Sequence, residues 1–202
     1  MSFFRLFALA LLRVVAGFVD VVWLCTRPAL LSWWWAAKRL PTYATSSADG
    51  GDDVYGDVFV APTAALLRAC GARAGVVVVD VGCGAGNVLL AARSLGAVAR
   101  GLEIDSARAL PHHARAADAV VEVVDGTEVD YGDADIVWCS WLTWSATTRA
   151  ALTARWTSTL RPGALLITLG HAPDGEAFET VARTTLWCSW GRADVLIASR
   201  RA

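Results

Sequence analysis

Charge is scarce in this 202-residue chain. Asp, Glu, Lys and Arg make up only 18% of it against 55% hydrophobic residues, which is apolar for a soluble protein. Paired cysteines are missing too. Cys25, Cys70, Cys83, Cys139 and Cys188 are odd in number, and no two stand in CxxC spacing. That excludes a disulfide framework and a cysteine zinc site, and it fits a reducing compartment. The three histidines, His112, His113 and His171, form no HxxxH pair, so no metal is expected. Internal repeats are absent. Within residues 3–40 no run of 18 residues is free of charge, because Arg5, Arg13 and Asp20 interrupt it. Basic charge is missing from the body of the chain. Residues 1–48 hold Arg5, Arg13, Arg27, Lys38 and Arg39 against Asp20 alone, a net of +4; the whole carries −1, so the remainder carries −5. An acidic body disfavours binding to phosphate backbones, and no direct nucleic-acid partner is expected. It suits a basic protein substrate, or serves solubility alone.

What is present falls into three parts. Residues 1–40 are an apolar helical anchor or targeting segment. At about 100° per residue, Ser2, Arg5, Arg13 and Asp20 share one sector of roughly 80°, so the charges run along one stripe of a helix. Trp33, Trp34 and Trp35 followed by Lys38 and Arg39 have the character of a membrane-interface belt. The segment reads as a membrane anchor, as a mitochondrial-type targeting sequence, or as helices buried in the domain. Pro28 suits the first turn of a second short helix. Residues 41–53, PTYATSSADGGDD, are a small, polar linker. Residues 54–202 are the main domain.

In that domain strand-like runs alternate with helix-like runs. Strands are expected at 76–81, 102–104, 120–124, 135–139, 165–169 and 195–199. Helices are expected at 87–95, 106–116 and 146–159. This order predicts an α/β fold: a Rossmann-like, doubly wound, mostly parallel sheet with helices on both faces. Ligands of such sheets lie beyond the carboxyl ends of the strands. The first strand ends in VVVVDVGCGAGN, where Gly82, Gly84 and Gly86 allow a sharp turn and close approach of the backbone to a ligand. Dinucleotide sites use GxGxxG, whereas this is GxGxG with Asp80 two residues ahead. A carboxylate there would repel a pyrophosphate and can reach a cationic amino-acid moiety. Glu103, after the second strand, can accept hydrogen bonds from ribose hydroxyls. Asp125 in VVDGT can meet an adenine amino group, or is simply a turn Asp.

The D-x-G-x-G-x-G set followed by an acid after the second strand resembles the S-adenosylmethionine-dependent class I methyltransferases. The resemblance spans roughly residues 54–202 and includes LRPGALLITLG at 160–170. It implies S-adenosylmethionine as cofactor, held by Asp80, Gly82, Cys83, Gly84, Gly86, Asn87, Glu103 and Asp125. The VYGD segment before a helix, and LWCSWGRADVLIAS near the C-terminus, resemble the non-SET histone lysine methyltransferases of the telomeric-silencing type. By that likeness Tyr55, Gly56, Asp57 and Val58 touch the cofactor. The chain departs from that family in carrying Ser140-Trp141 where it has an Asn-Asn pair, and in lacking its long helical front domain. The layout, a hydrophobic front segment joined to a short domain, is similar to the mitochondrial lysine methyltransferases of the ATP synthase c-subunit and the adenine nucleotide carrier. The helix before the first strand in that family resembles VAPTAALLRACGA at 60–72.

Both likenesses imply a protein lysine as acceptor. A lysine nucleophile must lose its proton, and an apolar aromatic channel favours the neutral amine. Trp138, Trp141, Trp144, Trp187 and Trp190 are candidate walls or core residues. Trp141, Trp190 and Tyr55 are assigned to the channel, with Ser140 placed to orient the amine. A small-molecule or lipid acceptor at a membrane, and a non-catalytic cofactor-binding protein, are the alternatives. The compartment is membrane-associated and mitochondrial, or else nuclear or cytoplasmic.

Overall fold

A computed structural model describes residues 56–109 and 119–202. The apolar segment, the linker, Val54, Tyr55 and most of the helix expected at 106–116 lie outside the described residues. The described elements are α1 (Val60–Ala69), β1 (Val77–Val81), α2 (Asn87–Ser94), β2 (Val98–Glu103), β3 (Val120–Val123), β4 (Ile136–Cys139), α3 (Ala146–Thr159), β5 (Leu165–Leu169), β6 (Phe178–Cys188) and β7 (Gly191–Arg200).

The strands form one seven-stranded sheet in the order β3-β2-β1-β4-β5-β7-β6. β1 pairs in parallel with β2 and β4, β2 with β3, and β4 with β5. β7 enters antiparallel to β5, and β6 pairs antiparallel with β7. The expected mixed α/β fold is therefore present.

Alternate residues of the central strands feed two cores. Val78, Ile136, Trp138 and Ile167 pack with Leu67 of α1 and Val88, Leu89 and Ala92 of α2. Val79, Val137, Cys139 and Leu166 pack with Leu152 and Trp156 of α3. A strand buried on both faces needs apolar residues at successive positions, which accounts for the valine run of β1. α3 begins at a side-chain cap, Ser145 accepting a hydrogen bond from the Thr148 N–H. Asp135 precedes β4 and ties neighbouring elements together, accepting from the Val77 N–H at 2.8 Å and pairing with Arg161.

The strand at 178–188 was not expected from sequence. Residues 179–185 of β6 are all exposed, and FETVARTTLWC has no run of buried positions to announce a strand. β6 exists because β7 offers a partner along ten residue pairs, with one irregularity between Thr180 and Ala182. β2 is also longer than expected, reaching back to Val98, because Arg100 sits within it and breaks the apolar pattern.

Candidate active site

β1 and β4 are adjacent, while the chain leaves β1 toward β2 and β3 on its other side. The carboxyl ends of these strands part at this switch point and open a cleft. A cavity of about 570 Å³ lies there.

Its floor begins with the turn after β1. Gly82, Gly84 and Gly86 have φ of 72°, 44° and 76°, left-handed values that favour glycine. The Gly82 and Cys83 N–H groups both donate to the Leu102 carbonyl, at 2.8 and 3.0 Å, which folds the turn against β2. Glu103 completes the arrangement. One carboxylate oxygen accepts from the Gly84 N–H at 2.9 Å and the other from the Asp105 N–H at 3.1 Å. A carboxylate has about four lone-pair sites, so two backbone bonds leave capacity for a ligand's hydroxyls.

Asp80 is buried beside this turn. Burial raises its carboxyl well above the usual range, and the negative charge of Glu103 raises it further. Burial also raises the Cys83 thiol, with Asp80 and Glu103 adding to the effect, so Cys83 stays protonated. Asp125 Oδ1 accepts from both the backbone N–H and the hydroxyl of Thr127, at 2.9 and 2.8 Å, forming a closed turn after β3.

Of the residues singled out from sequence, Gly56, Asp57 and Val58 line the cavity from one side. Asp80, Gly82, Cys83, Asn87, Glu103, Asp125 and Ser140 line it as well. Gly84 is buried under the floor, and Gly86 caps α2. Asn87 Nδ2 donates to the Val58 carbonyl at 2.9 Å, joining the start of α2 to the 56–58 segment. Tyr55 lies outside the described residues.

The aromatic channel must be redrawn. Trp141 is fully buried against Trp156, ring centroids 5.3 Å apart, and its indole N–H donates to the His171 carbonyl at 3.0 Å. It belongs to the core on the α3 side of the sheet, with Val137, Cys139 and Leu152. Trp190 is 43% exposed and is not among the cavity-lining residues; it rests on Gly56 instead. Among the described residues Trp144 is the tryptophan in the cavity wall, and a Cβ at Gly82 would come within 2.8 Å of its ring. Ser140 does line the cavity, but its oxygen already accepts from the Trp138 indole N–H at 3.0 Å. Asp105, Thr127, Thr147 and Thr148 are lining residues that the sequence reading passed over. Asp105 and Thr127 each stand two residues from an acid that had been singled out, and that proximity was the available signal.

Residues 79–168 match a family described as the methyltransferase domain. No protein of curated function matches the chain by sequence. Among solved structures, the fold is similar to magnesium protoporphyrin IX methyltransferase of Synechocystis PCC 6803 with bound S-adenosylmethionine. Identity is 19%, TM-score 0.57, with 68% of this chain and 76% of that one covered. The RNA methyltransferase of Salinibacter ruber, in complex with S-adenosylhomocysteine, is 20% identical with TM-score 0.56, covering 69% and 90%. The 1,6-didemethyltoxoflavin-N1-methyltransferase of Burkholderia thailandensis is 15% identical with TM-score 0.57, covering 71% and 78%. Residues 79–168 form a class I S-adenosylmethionine-dependent methyltransferase domain.

The residues of this methyltransferase site fit that cofactor. Asp80 is a buried acid whose ionised form is disfavoured by burial and by Glu103, and a cationic group beside it would supply compensation. Glu103 retains lone pairs for ribose hydroxyls. An ionised Asp80 would repel an anionic pyrophosphate, so this acid favours a sulfonium nucleoside with a cationic amino-acid arm over a dinucleotide. When bound, the cofactor supplies a methyl group on a positively charged sulfur, open to displacement by a nucleophile. The protein's contribution is to hold, orient and exclude water.

Proposed function

We propose that this methyltransferase transfers the methyl group to a lysine side chain of a protein. The observation that carries the reading is the charge of the cavity wall. Among the described residues Asp57, Asp80, Glu103, Asp105 and Asp125 line it, against the one guanidinium of Arg108, which itself pairs with Asp105 at 3.3 Å. Three of those acids suit the cofactor. With Arg108 paired to Asp105, carboxylates still outnumber guanidinium groups among the described lining residues, an excess that favours a cationic acceptor over a phosphate backbone. Trp144 gives the wall an aromatic face that can lie along the lysine stem, and an apolar surround favours the neutral amine needed for attack. Ser140, held by Trp138, lies in the same wall and can donate its hydroxyl proton or accept through its remaining lone pair. The apolar residues 1–40 suit delivery of the enzyme to a membrane, with a mitochondrial membrane protein as the corresponding substrate.

A second reading has its own support. The magnesium protoporphyrin IX and 1,6-didemethyltoxoflavin-N1 methyltransferases share this fold and, by their names, act on small molecules. A small-molecule acceptor would use the same cavity.

The full chain with methyl-labelled S-adenosylmethionine and a fractionated lysate tests the two readings. Lys38 is the sole lysine of the chain, so Lys38→Arg removes any lysine self-labelling. Label in a protein band that survives acid hydrolysis as methyl-lysine supports the lysine reading. Label confined to an organic extract favours the small molecule.

A further inference from the structure

The far edge of the sheet reaches back to the cofactor cavity. Cys188 pairs with Gly191, so Ser189 and Trp190 are the two turn residues of the β6–β7 hairpin. This turn grips residues 56–58. The Asp57 N–H donates to the Ser189 hydroxyl at 3.0 Å, and the Ser189 N–H donates to the Asp57 carbonyl at 2.8 Å. Val58 forms an antiparallel bridge with Cys188. The six-membered ring of Trp190 lies directly on Gly56, where a Cβ would overlap it. On its other side the segment is tied to α2 through the Asn87 amide and the Val58 carbonyl. Gly56, Asp57 and Val58 therefore form a wall of the cavity with a support behind and an anchor in front. Neither Ser189 nor Trp190 lines the cavity.

We propose that Ser189 and Trp190 are positioning residues for the cofactor: they hold the 56–58 segment against the cavity without touching the ligand. The segment meets the protein at Asn87, next to the glycine turn after β1, whereas Glu103 and Asp125 end β2 and β3 on the opposite side of β1. Its grip thus falls on the amino-acid end of the cofactor and not on the adenosine end. The hairpin does this as two exposed residues with little role in the core, which separates the positioning effect from folding. The inference concerns cofactor binding alone and stands or falls independently of the acceptor.

Calorimetry on the full chain with two ligands tests it, S-adenosylhomocysteine and adenosine, the second lacking the amino-acid arm. Ser189→Ala loses one hydrogen-bond acceptor, and S-adenosylhomocysteine affinity should fall between about twofold and tenfold. Trp190→Ala should lose at least as much. Adenosine affinity should hold in both variants, and Ser189→Thr, which keeps the hydroxyl, should restore the wild-type value. Unchanged S-adenosylhomocysteine affinity in both variants overturns the proposal. So does an equal loss for the two ligands, since that is the mark of general destabilisation, and so does a failure of Ser189→Thr to rescue.

Discussion

β1 and β6 are both strands of one sheet, and they are opposites. β1 is five residues long and buries all but its first. β6 is eleven residues long and buries only Phe178, Leu186 and Cys188. The carboxyl end of β1 supplies the floor of the cavity directly, through Asp80 and the glycine turn. The carboxyl end of β6 touches the cavity only through the residues its turn holds. Burial gives β1 rigidity and places a charge where solvent cannot relieve it. Exposure gives β6 freedom to vary, and its influence on the site passes through a few hydrogen bonds and one ring. Substitutions in the buried region should therefore alter stability and chemistry together, while those in the exposed region should alter binding alone.

The largest test of this contrast is a pair of tryptophans. Trp141→Ala, in the core beside Trp156, should destabilise the domain by about 3–5 kcal/mol. It also leaves the His171 carbonyl without the indole donor. Trp190→Ala removes a half-exposed ring and should move the unfolding midpoint far less. Denaturant titration of the two variants measures the difference, and equal losses would erase the distinction between core and edge.

Asp80 carries the next largest effect, and here stability and binding should move in opposite directions. Burial and Glu103 raise its carboxyl in the unliganded protein. A group with a raised folded-state pKa gives its stabilisation fully below the unfolded value, about 3.9 for Asp, and loses it as pH rises through the folded value. The unliganded domain should thus gain from Asp80 on acidification. A cationic ligand favours the ionised carboxylate, so cofactor affinity should fall over the same range. Asp80→Asn should flatten both trends, stabilise the unliganded fold at neutral pH, and weaken S-adenosylmethionine binding between about tenfold and a hundredfold. Thermal unfolding and calorimetry across pH measure the two slopes. Parallel slopes would show that Asp80 does not answer to a cation.

Glu103→Ala should weaken S-adenosylhomocysteine binding about tenfold through loss of charge-assisted hydrogen bonds. The Gly84 and Asp105 N–H groups lose their acceptor as well, so the glycine turn loosens. Glu103→Gln keeps one carbonyl acceptor and should fall between the two, measured by the same titration.

The same contrast explains what could be read in the sequence. The run at 76–81 announced a doubly buried strand because both faces demand apolar residues, and the glycines after it announced a turn because their left-handed φ values admit little else. Glu103 and Asp125 were visible from their spacing along the strand ends. β6 was not, since an exposed edge strand imposes no pattern on its residues and gains its order from β7. The tryptophans were misassigned for a related reason. Position after β4 suits either core or cavity, and the choice of Trp144 over Trp141 depends on which way the chain turns before α3. The role of Ser189 depends on a contact 132 residues away, which no local pattern encodes.

Ser140 gives the smallest expected effect and joins the two kinds of region in one side chain. It sits at the cavity wall, yet its oxygen accepts from the indole of Trp138, which is fully buried. Ser140→Ala leaves that N–H without its acceptor and should cost about 1 kcal/mol of stability. If the hydroxyl only satisfies Trp138, methyl transfer in the folded variant should keep its kcat and KM. If it also orients the acceptor amine, kcat should drop while cofactor affinity holds, because Ser140 lies after β4, on the side of β1 away from Glu103 and Asp125. Ser140→Cys separates the contributions. Its thiol accepts weakly from the indole and donates weakly to an amine, so a structural role predicts a partial stability loss with kcat intact, and an orienting role predicts the reverse emphasis. Steady-state kinetics on the three proteins, at one pH and saturating cofactor, decides which of the two this serine does.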